Sequence, residues 1–165
     1  MKNNPETIIR RATEADLPVL LQFEQELIRH ERAFDCTIRS GAVHYYDLRA
    51  MIESDSVCLL VAEQEGRVVA SGYARVEKAR PWLDHEEYAY LGFMYVDPAL
   101  RGLGLNTQII EALKTWCRQK ALRELRLEVY SGNSAAIRAY EKAGFSAHIV
   151  EMRTEVSGLS RGGSG

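Results

Sequence analysis

The chain has 165 residues, of which 46% are hydrophobic and 27% charged, and its formal net charge is −2 at pH 7. This balance is typical of a globular domain with a sizeable core, and the slight negative charge argues against a general nucleic-acid-binding surface. No apolar run approaches the roughly 18 residues needed to cross a bilayer, and the three cysteines are odd in number and far apart. We therefore expect a cytoplasmic protein with reduced thiols, no metal site and no membrane partner.

Apolar periodicity divides the N-terminal half into two helices and three strands. The predicted elements are a strand over residues 8–10, a helix over 13–29, a helix over 41–53, and a hairpin of strands over 57–62 and 68–76. Thr13 followed three residues later by Asp16 is typical of a capping box at the start of the first helix. Gly72, inside the second hairpin strand, indicates a bulge or a close backbone contact.

The C-terminal half alternates strands with helices. Its predicted elements are a strand over residues 87–96, a helix over 105–120, a strand over 125–130, a helix over 133–143 and a last strand over 145–152. Residues 1–156 are interpreted as a single domain. Residues 157–165 are rich in Gly and Ser and are interpreted as a flexible tail or an added sequence.

The order of these elements, β-α-α-β-β-β-α-β-α-β, predicts a mixed α/β fold. The middle strands follow one another through short connections, so they form an antiparallel meander. A helix joins the strands at 87–96 and 125–130, which predicts that these two strands are parallel and that their crossover is right-handed.

Residues 96–107 join a strand to a helix and are the first candidate ligand site. The apolar strand stops at Asp97-Pro98, two glycines follow, and helical periodicity begins at Leu105. A glycine-rich turn at a helix N-terminus presents free N–H groups and the positive end of the helix dipole to an anion. Arg101 adds a planar cation suited to phosphate oxygens, so we interpret the loop as a pyrophosphate site.

Two common phosphate-binding motifs do not fit this loop. It lacks the lysine of a P-loop, and Thr107 stands where a dinucleotide fingerprint has its third glycine. These mismatches weigh against a nucleotide-binding regulator. An ordinary glycine turn that caps a helix remains the alternative for the loop alone.

Residues 133–145 are the second informative stretch. Asn133 and Tyr140 are seven positions apart with Ala136 between them, so all three share one face of a helix. The small residue leaves room beside an amide and a phenol, as in the wall of a narrow cleft for a polar-ended ligand. A core aromatic residue with its hydroxyl at the rim is the alternative interpretation.

Together the two stretches resemble the signatures of the GCN5-related N-acetyltransferase (GNAT) superfamily. The loop is similar to the acyl-CoA motif Q/R-x-x-G-x-G/A at Arg101 and Gly104, but Asn106 replaces the final Gly or Ala. The second signature, N-x-x-A-x-x-x-Y-x-x-x-G-F, is matched by Asn133, Ala136, Tyr140, Gly144 and Phe145. The resemblance covers residues 8–154. It implies a mostly antiparallel, twisted sheet of about six to seven strands with four helices, and acetyl-CoA as co-substrate.

The resemblance also implies catalytic and binding roles. Tyr140 would be the general acid that protonates the leaving thiolate, because a phenol with a reference pKa of about 10 is protonated at neutral pH. A backbone N–H near Met94 or Tyr95 would stabilise the thioester oxygen, in a gap where the strands at 87–96 and 125–130 separate. The residues expected to bind the co-substrate are Met94, Tyr95, Val96, Arg101, Gly102, Leu103, Gly104, Leu105, Asn106, Thr107, Asn133, Ala136 and Tyr140.

The general base is less defined. Tyr90 stands approximately where some members of the superfamily carry a glutamate, and Glu128 lies on the neighbouring strand. Glu86 and Glu87 acting through water, or bulk water alone, are the alternatives.

The resemblance implies that the first two helices and the loop at 80–87 cover the acceptor end. The acidic and aromatic side chains there, which would suit a cationic amine, are Glu24, Glu31, Phe34, Asp35, Tyr45, Tyr46, Trp82, Asp84 and His85. A solvated acidic surface over core aromatics is the alternative.

We therefore expect an acetyl-CoA-dependent N-acetyltransferase that acts on a primary amine of a small molecule or peptide, by direct attack in a ternary complex and without nucleic acid. The alternative is a non-catalytic acyl-CoA-binding or partner-binding module with the same fold. The sequence leaves open the acceptor amine, the acyl-chain preference and whether the chain forms a homodimer.

Overall fold

The computed structural model describes residues 5–159 and contains one sheet with helices on both faces. The strands are β1 Thr7–Arg11, β2 Val57–Gln64, β3 Arg67–Lys78, β4 Glu87–Val96 and β5 Leu125–Arg126. The helices are α1 Leu17–Glu31, α2 Leu48–Glu53, α3 Leu105–Gln119 and α4 Ser134–Lys142. The strands lie in the order β1-β2-β3-β4-β5, with β1 to β4 antiparallel and β5 parallel to β4. This confirms the predicted mixed α/β fold.

Alternate side chains of the sheet face two separate hydrophobic layers. In β2, Leu60 and Ala62 pack in the layer that contains the apolar stripe of α3, whereas Leu59 and Val61 pack in the layer of α1 and α2. This period of two is what a strand buried on both faces requires, and α3 supplies the matching 3.6-residue stripe.

The start of the first helical segment has the predicted capping box. The Asp16 carboxylate accepts a hydrogen bond from the Thr13 N–H at 2.8 Å, and a 3₁₀ turn at Glu14–Asp16 leads into α1. Arg10 donates two hydrogen bonds to the same carboxylate, at 2.8 and 2.9 Å, and this ties β1 to the helix start.

The second helix is shorter than predicted, because residues 41–47 are not helical. Gly41 has a φ of +84°, and Asp47 caps α2 by accepting the Ala50 N–H at 3.1 Å. The N–H groups of Tyr45 and Tyr46 both donate to the Glu24 carboxylate at 3.0 Å. These donors point at a tertiary partner rather than along a helix axis, so the predicted helix begins only at Leu48.

The predicted count of about six to seven strands is wrong for the described residues, which form five. The strand predicted at 125–130 is limited to β5, and the strand predicted at 145–152 is absent. Ile149 and Met152 are instead 82% and 89% exposed. Alternation of apolar and polar residues reports side-chain character, whereas a strand also needs a neighbouring backbone edge to pair with.

Residues 1–4 of the predicted domain and residues 160–165 of the predicted tail lie outside the described residues. Across residues 5–159, none of the helices has both the length and the apolar character that a membrane crossing requires.

Candidate active site

The loop after β4 is held in a defined conformation by Asp97. Its N–H donates to the Val69 carbonyl at 2.8 Å, and its carboxylate accepts the Ala99 N–H at 3.0 Å. Two glycines then reverse the chain: Gly102 has a φ of +79° and Gly104, the N-cap of α3, a φ of +83°. Glycine adopts this left-handed conformation without the strain that a Cβ would add.

The N-terminus of α3 is open toward this loop. The first helical hydrogen bond runs from the Gln108 N–H to the Gly104 carbonyl at 3.1 Å, so the N–H groups of residues 105–107 precede the helical ladder. A Cβ built on Gly102 or Gly104 would meet nothing within 4 Å, so there is open space beside both glycines. The exposed Arg101 side chain donates to the Val96 carbonyl at 3.3 Å. The loop residues predicted to bind pyrophosphate therefore lie together at one helix N-terminus.

A β-bulge interrupts the pairing of β3 with β4 just before this loop. Ser71 pairs with Tyr95 and Tyr73 pairs with Gly92, so two residues of β4, Phe93 and Met94, lie opposite the single residue Gly72. This confirms that Gly72 marks an irregularity, although the extra residue lies on the partner strand. A Cβ on Gly72 would approach the Met94 Sδ to 2.5 Å, which explains the glycine.

The bulge is a strained feature that buried groups support. Phe93 is 2% exposed and has a φ of +52°, an uncommon conformation for a bulky residue. The buried Ser71 hydroxyl donates to the Phe93 carbonyl at 3.0 Å. The extra residue also reverses the alternation of β4, because Leu91 packs in the α3 layer and Phe93 in the α1 layer. Sequence reasoning did not identify Ser71 or Phe93.

The pairing of β4 with β5 ends just before the bulge. The two strands pair only through Ala89 with Leu125 and Tyr90 with Arg126. From Leu91 onward, the edge of β4 that faces β5 has no strand partner among residues 5–159. Backbone N–H and C=O groups of residues 94–96 therefore line a gap in which an amide-containing ligand can supply hydrogen bonds.

Helix α4 carries Tyr140, which packs against the hydrophobic layer that contains the apolar stripe of α3. The Asn133 side chain caps the helix by accepting the Ala136 N–H at 3.2 Å, and Gly144, with a φ of +97°, follows its last turn. Lys114 of α3 donates to the Ala143 carbonyl at 2.9 Å, which fastens α4 to α3. In this structure the side chain of Asn133 thus has a capping role.

Tyr140 is half-buried and packs edge-on against Phe145, with 5.8 Å between the ring centroids. Its hydroxyl makes no hydrogen bond within residues 5–159. Burial, with a smaller contribution from the charge of Glu31, raises the pKa of Tyr140 to about 12. The phenol is therefore protonated at neutral pH and able to donate a proton.

The environment of Tyr90 does not suit a base. Burial and the charge of Glu128 raise the pKa of Tyr90 to about 12, and the Arg75 guanidinium lies 4.9 Å from its ring centroid. A phenol with so high a pKa is a poor proton acceptor at neutral pH. Glu128 is exposed beyond the end of β5, and Glu86 and Glu87 are also exposed.

Aromatic residues predicted at the acceptor end cluster over the bulge. The Tyr46 ring lies 4.9 Å from Phe93 and 5.6 Å from Tyr73, measured between centroids. Phe34, in the turn after α1, stacks on Tyr130 at 6.1 Å. These contacts bring the chain after α1 to the segment that leads into α4.

Glu24 has a different role from the one its sequence position indicated. It is completely buried, and its carboxylate accepts the N–H groups of Tyr45 and Tyr46 and lies 2.7 Å from Nδ1 of His44. Glu24 therefore anchors the loop before α2 and does not face the acceptor surface.

The loop at 80–87 lies at the paired start of β5. Nε2 of His85 is 3.2 Å from the Arg126 guanidinium, and Trp82 is 74% exposed. Among residues 5–159, no group of three or more His, Cys, Asp or Glu side chains is arranged to hold a metal ion.

Comparison with known sequences identifies relatives of this chain. Residues 24–145 match the profile of the Acetyltransferase (GNAT) family. A mycothiol acetyltransferase from Amycolatopsis mediterranei is 29% identical over 154 residues, which cover 90% of this chain and 51% of that protein. The chain spans about half the length, or less, of the curated relatives it matches.

Solved structures share the fold. A mutant of the BH1408 protein from Bacillus halodurans has a TM-score of 0.83 and 19% identity, with 90% of this chain and 99% of that chain covered. A predicted acetyltransferase from Clostridium acetobutylicum, solved with acetyl-CoA, has a TM-score of 0.71 and 16% identity, with 91% and 96% covered. The profile match extends over most of the chain, from within α1 to Phe145, three residues after α4, and shows that this protein belongs to the Acetyltransferase (GNAT) family.

Proposed function

We propose that this chain is an acetyl-CoA-dependent N-acetyltransferase that transfers an acetyl group to a primary amine of a small molecule or peptide. One observation carries the proposal: β4 has no pairing with β5 beyond Tyr90, and it leads directly into the loop at the open N-terminus of α3. Helix α4, which follows β5 in the chain, carries Tyr140, whose hydroxyl makes no hydrogen bond within residues 5–159. Family membership supports acetyl-CoA as the co-substrate.

The proposed co-substrate fits the polar groups along this gap. N–H groups of residues 102–107, with Arg101, would bind the pyrophosphate. The edge of β4 at residues 94–96 would pair with the amides of the pantetheine arm. This arrangement would direct the thioester toward the bulge, where an N–H of Met94 or Tyr95 would stabilise the developing oxyanion.

Proton transfer would be completed by Tyr140. Its neutral phenol would donate a proton to the sulfur as the carbon–sulfur bond breaks, during direct attack by the amine in a ternary complex. The aromatic residues over the bulge would exclude water from the reacting carbonyl and position the acceptor.

The Amycolatopsis relative is named as a mycothiol acetyltransferase, and this similarity supports acetyl transfer as the reaction of this chain. The alternative, a non-catalytic acyl-CoA-binding or partner-binding module, is favoured by two observations. Asn106 replaces the Gly or Ala of the loop motif, and Tyr90 stands in place of a glutamate.

Release of CoA thiol from acetyl-CoA in the presence of an amine panel separates the two functions. The panel contains alkylamines, amino sugars and peptides with a free N-terminus. If the chain is an enzyme, thiol release depends on the presence of both the amine and the protein. Binding of acetyl-CoA with no amine-dependent release would instead support the binding module.

A further inference from the structure

Glu31 is the last residue of α1 and begins the turn that carries Phe34 onto Tyr130. Burial raises the pKa values of four tyrosines from three separate segments, and the charge of Glu31 adds to each of these shifts. These tyrosines are Tyr45 and Tyr46 before α2, Tyr130 after β5, and Tyr140 in α4. Because electrostatic coupling falls with distance, these contributions agree with the packing of the turn after α1 against Tyr130.

The fold places Glu31 there through the turn that follows α1. The N–H groups of Phe34 and Asp35 donate to the Glu31 carbonyl at 2.8 and 3.1 Å. Phe34 then stacks on Tyr130 and lies 3.4 Å from a Cβ built on Gly132. The C-terminus of α1 therefore rests on the segment that leads directly into α4 and Tyr140.

The Glu31 carboxylate has no counter-ion among residues 5–159, where no Lys or Arg lies within salt-bridge distance of it. Burial raises the pKa of Glu31, an effect to which the Asp35 charge adds and which Tyr45 and His30 oppose. A half-buried carboxylate without a cation is unfavourable, and a bound cation would relieve this cost.

Asp35, four residues after Glu31, is a second carboxylate whose surroundings can be compared with those of Glu31. It accepts hydrogen bonds from the Thr37 hydroxyl at 2.6 Å and the Thr37 N–H at 2.9 Å, and Arg153 lies 3.5 Å away. These contacts, the Thr37 hydroxyl first, hold the pKa of Asp35 below its usual value. Asp35 therefore has a cation beside it, whereas the stabilising partners of the Glu31 carboxylate are Tyr45 and the weaker charge of His30.

We propose that Glu31 binds the ammonium group of the acceptor and removes its proton before attack, an assignment that rests on the proposed function. Glu31 takes one proton, and the freed nitrogen lone pair forms the new carbon–nitrogen bond. Tyr140 gives its proton to the sulfur, which keeps the electron pair of the broken carbon–sulfur bond. The phenolate recovers a proton from the acylated nitrogen, and Glu31 releases its own to water.

The test compares two nucleophiles in the wild type and in Glu31→Gln, with acetyl-CoA as donor. An alkylamine is an ammonium ion at pH 7, whereas an O-alkylhydroxylamine is already neutral and needs no base. Glu31→Gln should lower kcat/KM by about 10²- to 10⁴-fold with the alkylamine, and by less than about tenfold with the O-alkylhydroxylamine. The matched variant Glu14→Gln changes an exposed carboxylate that pairs with Arg49 at 2.7 Å, and it should stay within about threefold of wild type with both.

Thermal unfolding of each variant establishes that it is folded, and titration with acetyl-CoA establishes that it binds the co-substrate. An equal loss with both nucleophiles, or full alkylamine activity in Glu31→Gln, would overturn the role of Glu31 while leaving the proposed function intact. Absence of thiol release from the wild type with either nucleophile would overturn the proposed function and this role together.

Discussion

At the scale of single residues, the Tyr140 side chain has properties suited to an acid. Burial keeps its phenol neutral, its hydroxyl is unpartnered within residues 5–159, and α4 is anchored at both ends by Asn133 and Lys114. A proton donor of this kind contributes to the chemical step and little to ground-state binding.

Replacing Tyr140 with Phe removes the proton and leaves the ring. We expect kcat to fall by about 10- to 10³-fold, because a general acid is lost, with little change in acetyl-CoA affinity. Steady-state kinetics and calorimetric titration with acetyl-CoA measure the two quantities. Tyr88→Phe is the control, since it keeps the ring that the Arg126 guanidinium contacts at 4.1 Å, and it should retain wild-type turnover. Unchanged turnover in Tyr140→Phe would remove this residue from the mechanism.

The residues that could be predicted are those whose signal is local. The spacing of Asn133 and Tyr140 on one helix is visible in the sequence, as are the glycines before Leu105. Ser71 was not predicted, because its hydroxyl acquires a partner only through pairing of β3 with β4. Glu24 was assigned to the wrong surface, since a glutamate in an amphipathic helix gives no sign that distant N–H groups will bury it.

At the scale of elements, the bulge in β4 lies just beyond the point where the pairing of β4 with β5 ends. It depends on close packing between strands. A Cβ on Gly92 would collide with the hydroxyl and ring of Tyr73, which is 2% exposed. The buried ring has no free space into which it can move.

Gly92→Ala should therefore lower the free energy of unfolding by about 1–3 kcal/mol, as overpacking does in a well-packed core. Urea denaturation at equilibrium measures the change. Gly132→Ala is the matched control: its Cβ would lie 3.4 Å from Phe34, an ordinary contact, so we expect a change within about 0.5 kcal/mol. Equal stabilities of the two variants would contradict the packing described for the bulge.

Element prediction succeeded where one periodicity extends over the whole segment. The predicted strand at 87–96 coincides with β4, and the apolar stripe after the glycine loop with α3. The helix predicted at 41–53 and the strand predicted at 145–152 were wrong. In the first segment, the N–H groups of Tyr45 and Tyr46 donate to the Glu24 carboxylate and not to helix carbonyls. In the second, no strand forms, and the two-residue β5 is the last strand among residues 5–159.

At the scale of the whole molecule, stability comes from the two layers on either side of the sheet. Ile109 of α3 is fully buried in one of them, whereas Ile149, in the segment after α4, is 82% exposed. Apolar character alone did not distinguish these residues, because burial is decided by which segments the sheet brings together.

Ile109→Ala should lower the free energy of unfolding by about 2–5 kcal/mol, because it opens a cavity in a packed core. Ile149→Ser should change it by no more than about 0.5 kcal/mol, since the exposed side chain loses few contacts. Denaturant unfolding of both variants provides the comparison. A loss in Ile149→Ser as large as that in Ile109→Ala would show that the C-terminal segment is buried.

The central claim is that coenzyme A binds in the gap between β4 and β5, with its pyrophosphate at the start of α3. A crystal structure of the protein with coenzyme A tests it most directly. We predict that N–H groups of residues 102–107 donate to pyrophosphate oxygens at about 2.7–3.2 Å, and that the sulfur faces the Tyr140 hydroxyl. A pyrophosphate bound elsewhere, or a sulfur separated from Tyr140 by an intact pairing of β4 with β5, would contradict the claim.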